Sequence, residues 1–228
     1  IEGGCVRVGG KTVSKPSCEL PDDTDPASVE IEVSPETRYV SRGGLKLEAA
    51  LDAFGISVCG LRALDIGAST GGFTDCLLSR GAAQVTAVDS GHGQLSARLA
   101  ADSRVRSLEG MNARYLSAAE VGAGYDIAVM DVSFISQTLI LPVIPALLRD
   151  GGELVSLIKP QFELGRADVG KGGIVRSAAA RERAVTAVRT AADAVGLKCC
   201  GVITSPIQGG DGNTEYLAHF RRAATTGK

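Results

Sequence analysis

The stretch Leu61-Arg62-Ala63-Leu64-Asp65-Ile66-Gly67-Ala68-Ser69-Thr70-Gly71-Gly72-Phe73 constrains this chain more than any other. It opens as a short apolar run, the pattern of a strand buried on both faces in a parallel sheet. It turns through small residues from Gly67 to Gly72. A helix is expected from Phe73 to Ser79, stopped at Gly81. Strand, glycine turn and helix form the ligand-binding corner of a doubly wound α/β sheet. A pyrophosphate-binding corner spaces its glycines G-x-G-x-x-G. Here they fall as G-x-x-x-G-G, behind an acidic residue, Asp65, near the strand end. A carboxylate in that place suits a cationic ligand group better than a phosphate.

The rest of the chain repeats the alternation. Before the corner, Leu47, Ala50, Leu51 and Phe54 recur at helical spacing after Ser41-Arg42-Gly43-Gly44, with Arg42 and Lys46 read as cations on the flank of that helix. After it come a strand over Gln84–Ser90, a helix over Gln94–Ala101, a strand over Val105–Glu109 and a strand over Tyr125–Val132. A helix is expected over Gln137–Arg149, kinked by Pro142 and Pro145 and stopped by Gly151-Gly152. Glu153–Ile158 reads as a strand, Gln161–Arg176 as a glycine-rich loop without structure of its own, and Ser177–Val195 as an amphipathic helix. Strands over Leu197–Ser205 and Glu215–Arg221 complete seven. This order implies a mostly parallel sheet with helices on both faces.

Residues 1–34 differ. Cys5-Val6-Arg7-Val8, Gly9-Gly10 and Thr12-Val13 read as a hairpin. A polar linker with Pro16, Pro21, Asp22, Asp23, Asp25 and Pro26 follows, then a short alternating run from Val29 to Val33. This segment is too small to hold a core by itself. The expected division is therefore 1–34 and 35–228.

Composition excludes several classes. No apolar run approaches the ~20 residues of a membrane helix, and no signal peptide is read. The chain begins at Ile1 rather than Met, so the natural N-terminus is expected upstream. Cys5, Cys18, Cys59, Cys76, Cys199 and Cys200 form no C-x-x-C pair and read as reduced thiols, the state of a cytoplasmic protein. His92 and His219 are the only histidines, so no histidine-rich metal site is expected. Net charge is −2, with −4 on residues 1–34, so any contact with nucleic acid rests on a local patch.

D-x-G-x-x-x-G-G-F resembles motif I of the S-adenosylmethionine (SAM)-dependent methyltransferases. Longer runs, S-R-G-G-L-K-L, D-I-G-A-S-T-G-G-F-T-D-C-L, D-V-S-F-I-S, K-P-Q-F-E and G-N-T-E-Y, resemble the TlyA (so-called hemolysin A) family over nearly the whole chain. Members of that family are ribosomal-RNA 2′-O-methyltransferases with an FtsJ-like domain. The resemblance implies a Rossmann-like methyltransferase fold. It implies SAM contacts at Asp65, Gly67, Ala68, Ser69, Thr70, Gly71, Gly72, Phe73, Asp89, Met111, Asn112 and Asp131, with Asp89 on the cofactor ribose. It implies a catalytic tetrad of Lys46, Asp131, Lys159 and Glu215. Residues 1–34 resemble the C-terminal end of an alpha-L RNA-binding domain whose RNA-gripping helices would precede Ile1. Ribosomal RNA or a ribosomal subunit is the implied partner; Arg166, Lys171 and Arg176, the cations of the Gln161–Arg176 loop, are read with Arg42 as RNA contacts, and no metal is expected.

The chemistry asks for such residues. Methyl transfer from a sulfonium is an in-line displacement, so orientation supplies much of the rate. A ribose hydroxyl is a poor nucleophile, and Lys159 is the group best placed to accept or steer its proton. A lysine serves as a base near neutral pH only if burial or a second cation loosens its proton, and Lys46 is the candidate cation. Asp131 and Glu215 would hold the lysines and act in the opposite sense. Glu215 taken alone reads equally as an exposed strand-end carboxylate. Three other readings stand beside this one. The first is a SAM enzyme acting on a base nitrogen or a small molecule; amino-group methylation commonly uses an Asn/Asp-Pro-Pro-aromatic turn, and here that turn is Asp131-Val132-Ser133-Phe134, without the prolines, which argues against it. A membrane-lytic protein is the reading the family's second name suggests. A SAM-fold binding module without chemistry is the third.

Overall fold

Val6–Val8 (β1) and Lys11–Val13 (β2) form an antiparallel hairpin around Gly9-Gly10. Val29–Ile31 (β3) adds to the other edge of β1, giving a three-stranded sheet of order β2-β1-β3. A 3-10 turn at Pro26–Ser28 leads into β3, capped by Asp25, which accepts from the Ala27 N–H. The computed structural model describes residues 6–13, 18–21, 23–31 and 38–224. Cys5, Lys15, Pro16, Asp22 and Val33 lie outside the described residues. The chain divides into two compact units, Ile1–Arg38 and Tyr39–Lys228.

The larger unit opens with Gly43–Phe54 (α1), which buries Leu47, Ala50 and Leu51 and ends at Gly55. Arg62–Ile66 (β4), Gly72–Ser79 (α2) and Gln84–Val88 (β5) follow the sequence reading closely. Ala97–Ala100 (α3) is a single turn rather than the helix expected from Gln94. Val105–Leu108 (β6) precedes Ala118–Val121 (α4), a one-turn helix that the apolar pattern did not announce and that a Ser117/Glu120 capping box supports. Tyr125–Met130 (β7) is the next strand.

The kinked helix expected over Gln137–Arg149 does not form. Two 3-10 turns, Gln137–Leu139 and Leu141–Val143, lead to the one-turn helix Ile144–Leu147 (α5). Proline lacks an N–H and its ring clashes with the preceding turn. With prolines at 142 and 145, each is tolerated only at the start of a short segment, which is where both stand. Gly151-Gly152 does not stop a helix either. It lies in an irregular stretch inside Leu148–Ile158 (β8), between the pairs Tyr125↔Leu148 and Ile127↔Glu153. Pro160–Glu163 (α6), Ala178–Ala194 (α7), Leu197–Thr204 (β9) and Tyr216–Arg222 (β10) complete the unit.

Seven strands form one sheet of order β6-β5-β4-β7-β8-β10-β9. Only β10 runs against its neighbours, so the sheet is mostly parallel. Side chains alternate between its faces. Leu64, Ile66, Ala128, Met130, Leu154 and Ile158 point to one core, and Ala63, Ile127, Val129, Val155 and Leu157 to the other. α1 and α2 cover the second face. On the first, α7 presents Ala180, Ala184, Val188 and Ala192, a stripe of small residues at four-residue spacing that lets the helix lie close. The chain leaves β4 toward β5 and β6, then returns to β7 on the other side of β4. The crevice beyond the carboxyl ends of β4 and β7 is therefore the switch point where such sheets take ligands.

Candidate active site

The turn after β4 shapes this crevice. Gly67 has φ of +85°, and a Cβ there would lie 2.2 Å from the Asp131 carbonyl oxygen. Only glycine allows both the left-handed backbone and that approach. Gly67 and Ala68 donate to the Val88 carbonyl, and Ser69 N–H donates to Asp89 Oδ2 at 2.7 Å. The second Asp89 oxygen accepts from Gly91 N–H at 2.7 Å. Each oxygen keeps a free lone pair for a ligand hydroxyl.

Three neighbouring cavities open at these strand ends. One of about 490 Å³ is lined by Gly67, Ser69, Asp89, Met111, Asn112 and Asp131 among the sequence-selected residues. Val88, Val132 and Ile135 give it apolar walls, and Gln94, Ser133 and Phe134 line it as well. A second, of about 290 Å³, shares Gly67, Ser69, Asp131 and Ser133 with the first. Its remaining wall includes Arg42, Lys46, Ala68, Thr70, Gly72, Phe73 and Lys159. A third brings Lys159 and Glu215 together with Phe134, Gln161 and Phe162.

Two lysine–carboxylate pairs stand at these walls. Lys46 Nζ lies 2.6 Å from Glu215 Oε2, with the residues 8% and 2% exposed. Lys46 is thus a buried, paired group and not a solvated flank, and Glu215 is no exposed strand end. Arg42, one turn earlier, remains exposed. Lys159 Nζ lies 2.6 Å from Asp131 Oδ1 and donates a hydrogen bond to Ser133 Oγ at 2.9 Å. The approach to Asp131 is a contact of charges, since Oδ1 has no aligned donor. The segment entering α1 is held from the α2 side: Val40 N–H and Arg98 Nη2 both donate to Asp75 Oδ2, at 2.9 and 2.6 Å.

Two of the residues selected as SAM contacts line none of these three cavities. Gly71 has φ of +99°, and a Cβ there would meet Leu99 Cδ1 at 2.3 Å and Leu95 Cδ1 at 2.8 Å. Glycine at 71 thus answers to backbone and packing, and a branched side chain there strikes the fold. Asp65 is fully buried, accepts from Thr74 Oγ1 at 2.6 Å and has its other oxygen unpartnered. Burial, more than it is offset by the Thr74 hydrogen bonds, pushes its carboxyl up to about 7, and the charges of Asp131 and Asp89 act in the same direction.

Arg166, Lys171 and Arg176 are exposed and also lie off these walls. The segment carrying them is not structureless. Besides α6 it has 3-10 turns at Arg166–Asp168 and Lys171–Gly173. Asn213 fastens it, accepting from Val175 N–H and donating to the Gly173 carbonyl, both at 2.9 Å. Sequence reasoning gave no role to Phe134. Its φ is +64°, unusual for a bulky side chain, the residue is 91% exposed, and its ring lies 5.1 Å from that of Phe162. Among the described residues, no group of three or more His, Cys, Asp or Glu could hold a metal ion, and no helix is long and apolar enough to cross a membrane.

Residues 39–222 match the model of the FtsJ-like methyltransferases. The chain belongs to that family. It is 44% identical over 221 residues to the 16S/23S rRNA (cytidine-2′-O)-methyltransferase TlyA of Mycobacterium tuberculosis, covering 97% of this chain and 81% of that one. A solved structure from Streptococcus thermophilus, carrying a provisional hemolysin name, superposes with a TM-score of 0.83 at 45% identity, over 97% of this chain and 80% of that one. The fold alone extends to an Aeropyrum pernix fibrillarin solved with S-adenosyl-L-methionine, at a TM-score of 0.55 and 18% identity, over 78% of this chain and 75% of that one.

Asp65 yields a measurable consequence. Its folded-state value near 7 exceeds the ~3.9 of an unfolded aspartate. The folded chain therefore holds the proton more tightly. Stability from this group is complete below about pH 4 and declines as pH rises to about 7. Asp65→Asn removes that decline. Between pH 5 and 8 the variant should gain on the wild type by on the order of 2–3 kcal/mol in denaturant unfolding. Parallel pH profiles for the two proteins would contradict the assignment.

Proposed function

We propose that this chain transfers the methyl group of SAM to a ribose 2′-hydroxyl of ribosomal RNA. The observation that carries this reading is the pair of lysine–carboxylate contacts, each 2.6 Å, on walls adjoining the Asp89 cavity. The mycobacterial relative, whose name states a cytidine-2′-O activity on rRNA, supports it. An enzyme of that kind works where ribosomes are, in the cytoplasm.

The residues present fit the cofactor. Asp89 has lone pairs to accept two vicinal hydroxyls, and Val88, Met111, Val132 and Ile135 offer an apolar slot for a base beside it. Gly67, Ser69 and Asp131 connect this slot to the cavity holding Lys46 and Lys159. When bound, SAM supplies an electrophilic methyl on a sulfonium. The protein supplies orientation. Lys159, anchored on Asp131 and Ser133, steers the acceptor hydroxyl and handles its proton. Lys46, held by Glu215, fixes the opposite wall.

Phe134 belongs to the acceptor side. Holding an exposed aromatic ring on a left-handed backbone costs about 1–3 kcal/mol, a strain kept where it serves a site. The ring is a platform on which an unstacked RNA base can lie, as proteins that read unpaired RNA commonly use. The exposed Arg42, Arg166, Lys171 and Arg176 meet backbone phosphates. The smaller unit, which resembles the C-terminal part of an RNA-binding domain, precedes the methyltransferase domain, which runs from about Tyr39.

Single-turnover transfer to ribosomal RNA tests this. Lys159→Ala should abolish transfer and leave SAM affinity within about twofold, because the lysine acts on the acceptor. Lys159→Arg should fail too, since a guanidinium does not release its proton near neutral pH. Near-wild-type rates with alanine would remove Lys159 from the mechanism. In an RNA-binding assay, Phe134→Ala should weaken binding by about 1–3 kcal/mol. Neutralising Arg166 and Lys171 should flatten the salt dependence. Unchanged binding and slope would exclude these contacts.

A further inference from the structure

Lys159 and Asp131 meet just beyond the end of the β7–β8 ladder. The ladder between β7 and β8 ends at the pair Met130↔Ser156. Asp131 stands one residue past that pair on one strand, and Lys159 three residues past it on the other. Each begins an irregular turn. β4 still holds Asp131 through its N–H to the Ile66 carbonyl, and β10 pairs with Ile158 just before Lys159, but past the ladder the two turns that carry the 2.6 Å contact are joined to each other by side chains.

Glu163 supplies the most direct join. It ends α6, four residues after Lys159, and spends both carboxylate oxygens on the opposite turn. Oε2 accepts from Ser136 Oγ at 2.5 Å, and Oε1 accepts from Gln137 N–H at 2.9 Å. Ser136 and Gln137 lie in the same turn as Asp131, Ser133 and Phe134. Gln137 in turn is 1% exposed and reaches β8 itself: its Nε2 donates to the Leu157 carbonyl, and its Oε1 accepts from Ser156 Oγ, each at 2.5 Å. The rings of Phe134 and Phe162 add a third join. Glu163 lines none of the three cavities. Burial also raises its pKa, against the pull of the Gln137 and Ser136 hydrogen bonds. A carboxylate kept in such surroundings is accounted for by the two donors it receives.

We propose that Glu163 is a positioning residue, a clasp that fixes the turn bearing Lys159 against the turn bearing Asp131 and Ser133. The proposal rests on the role given to Lys159 above. It assigns Glu163 no contact with cofactor or RNA. Both donors are neutral, so the clasp needs an acceptor for the Gln137 N–H and a partner for the Ser136 hydroxyl. A glutamine can supply both, through its amide oxygen and its amide N–H.

The test uses the full chain with Glu163→Ala, Glu163→Gln, Ser136→Ala and the Ala/Ala double variant. Single-turnover transfer to ribosomal RNA, SAM affinity by calorimetry and a crystal structure of Glu163→Ala are measured. Glu163→Ala should lower the transfer rate by about 100-fold, the scale of a misplaced reacting group, with SAM affinity within about twofold. Glu163→Gln should stay within roughly tenfold of wild type, the loss of about one neutral hydrogen bond. The double variant should be no slower than the slower single one, because both changes open one link. In the crystal, Lys159 Nζ should leave Asp131. An undiminished rate in Glu163→Ala, a glutamine variant as slow as alanine, or additive singles would overturn the clasp. Should Glu163→Ala not fold, an unchanged rate in Ser136→Ala overturns it equally. If the wild type methylates no ribosomal RNA, the functional reading falls. The crystal structure then decides the clasp alone: a displaced Lys159 upholds it, and an unmoved ion pair refutes it.

Discussion

The approach of Gly67 to Asp131 is the contact on which the site depends. A Cβ at Gly67 would lie 2.2 Å from the Asp131 carbonyl oxygen, so the turns leaving β4 and β7 touch through a hydrogen atom. Asp131 N–H also donates to the Ile66 carbonyl at 3.0 Å, which carries the strand pairing one residue beyond β7. With the two turns so close, the cavity beside Asp89 and the cavity beside Lys159 share walls. A larger residue at 67 would push these two cavities apart. The glycine therefore fixes how close the two turns, and the cavities beside them, can lie.

The pair Lys46–Glu215 does for the outer wall what Gly67 does for the floor. It joins the first helix of the larger unit to the entrance of its last strand, 169 residues apart. Taking two charges out of water is expensive, and a buried pair is weak evidence for stability in its own right. Removing one partner is another matter, since an uncompensated buried charge costs about 3–5 kcal/mol. The pair thus enforces its own geometry: α1 and the chain before β10 cannot drift apart without stranding a charge. Lys159 is held differently, by a part-exposed carboxylate and a hydroxyl, and stays near the open crevice.

Local pattern made the sheet legible and left the site only half so. Apolar runs marked the strands at Arg62–Ile66, Gln84–Val88 and Tyr125–Met130 because those strands are buried on both faces. The same logic failed over Gln137–Arg149. Apolar spacing looked helical, yet two prolines three residues apart leave no room for a continuous ladder. The fastening of Gln161–Arg176 was invisible because it comes from Asn213, a residue distant in sequence. Neither helical nor strand periodicity pairs Lys46 with Glu215, and only the family resemblance put them side by side. Gly71 stands in a ligand-binding motif, and its φ and its neighbours Leu95 and Leu99 give glycine there a packing reason as well. The left-handed backbone at Phe134 has no signature in sequence at all.

Two names attach to this family's relatives, one for an RNA-modifying enzyme and one for a hemolysin, and the geometry accords with the first. The central claim is that the methyl group goes to a ribose oxygen. The most direct measurement is to incubate ribosomal RNA with the chain and methyl-labelled SAM, digest the RNA to nucleosides and identify the labelled species by mass spectrometry. The account predicts label on a ribose, as a 2′-O-methylnucleoside, with none on any base. Label on a base nitrogen, or unlabelled RNA after incubation with folded, SAM-binding protein, would contradict it.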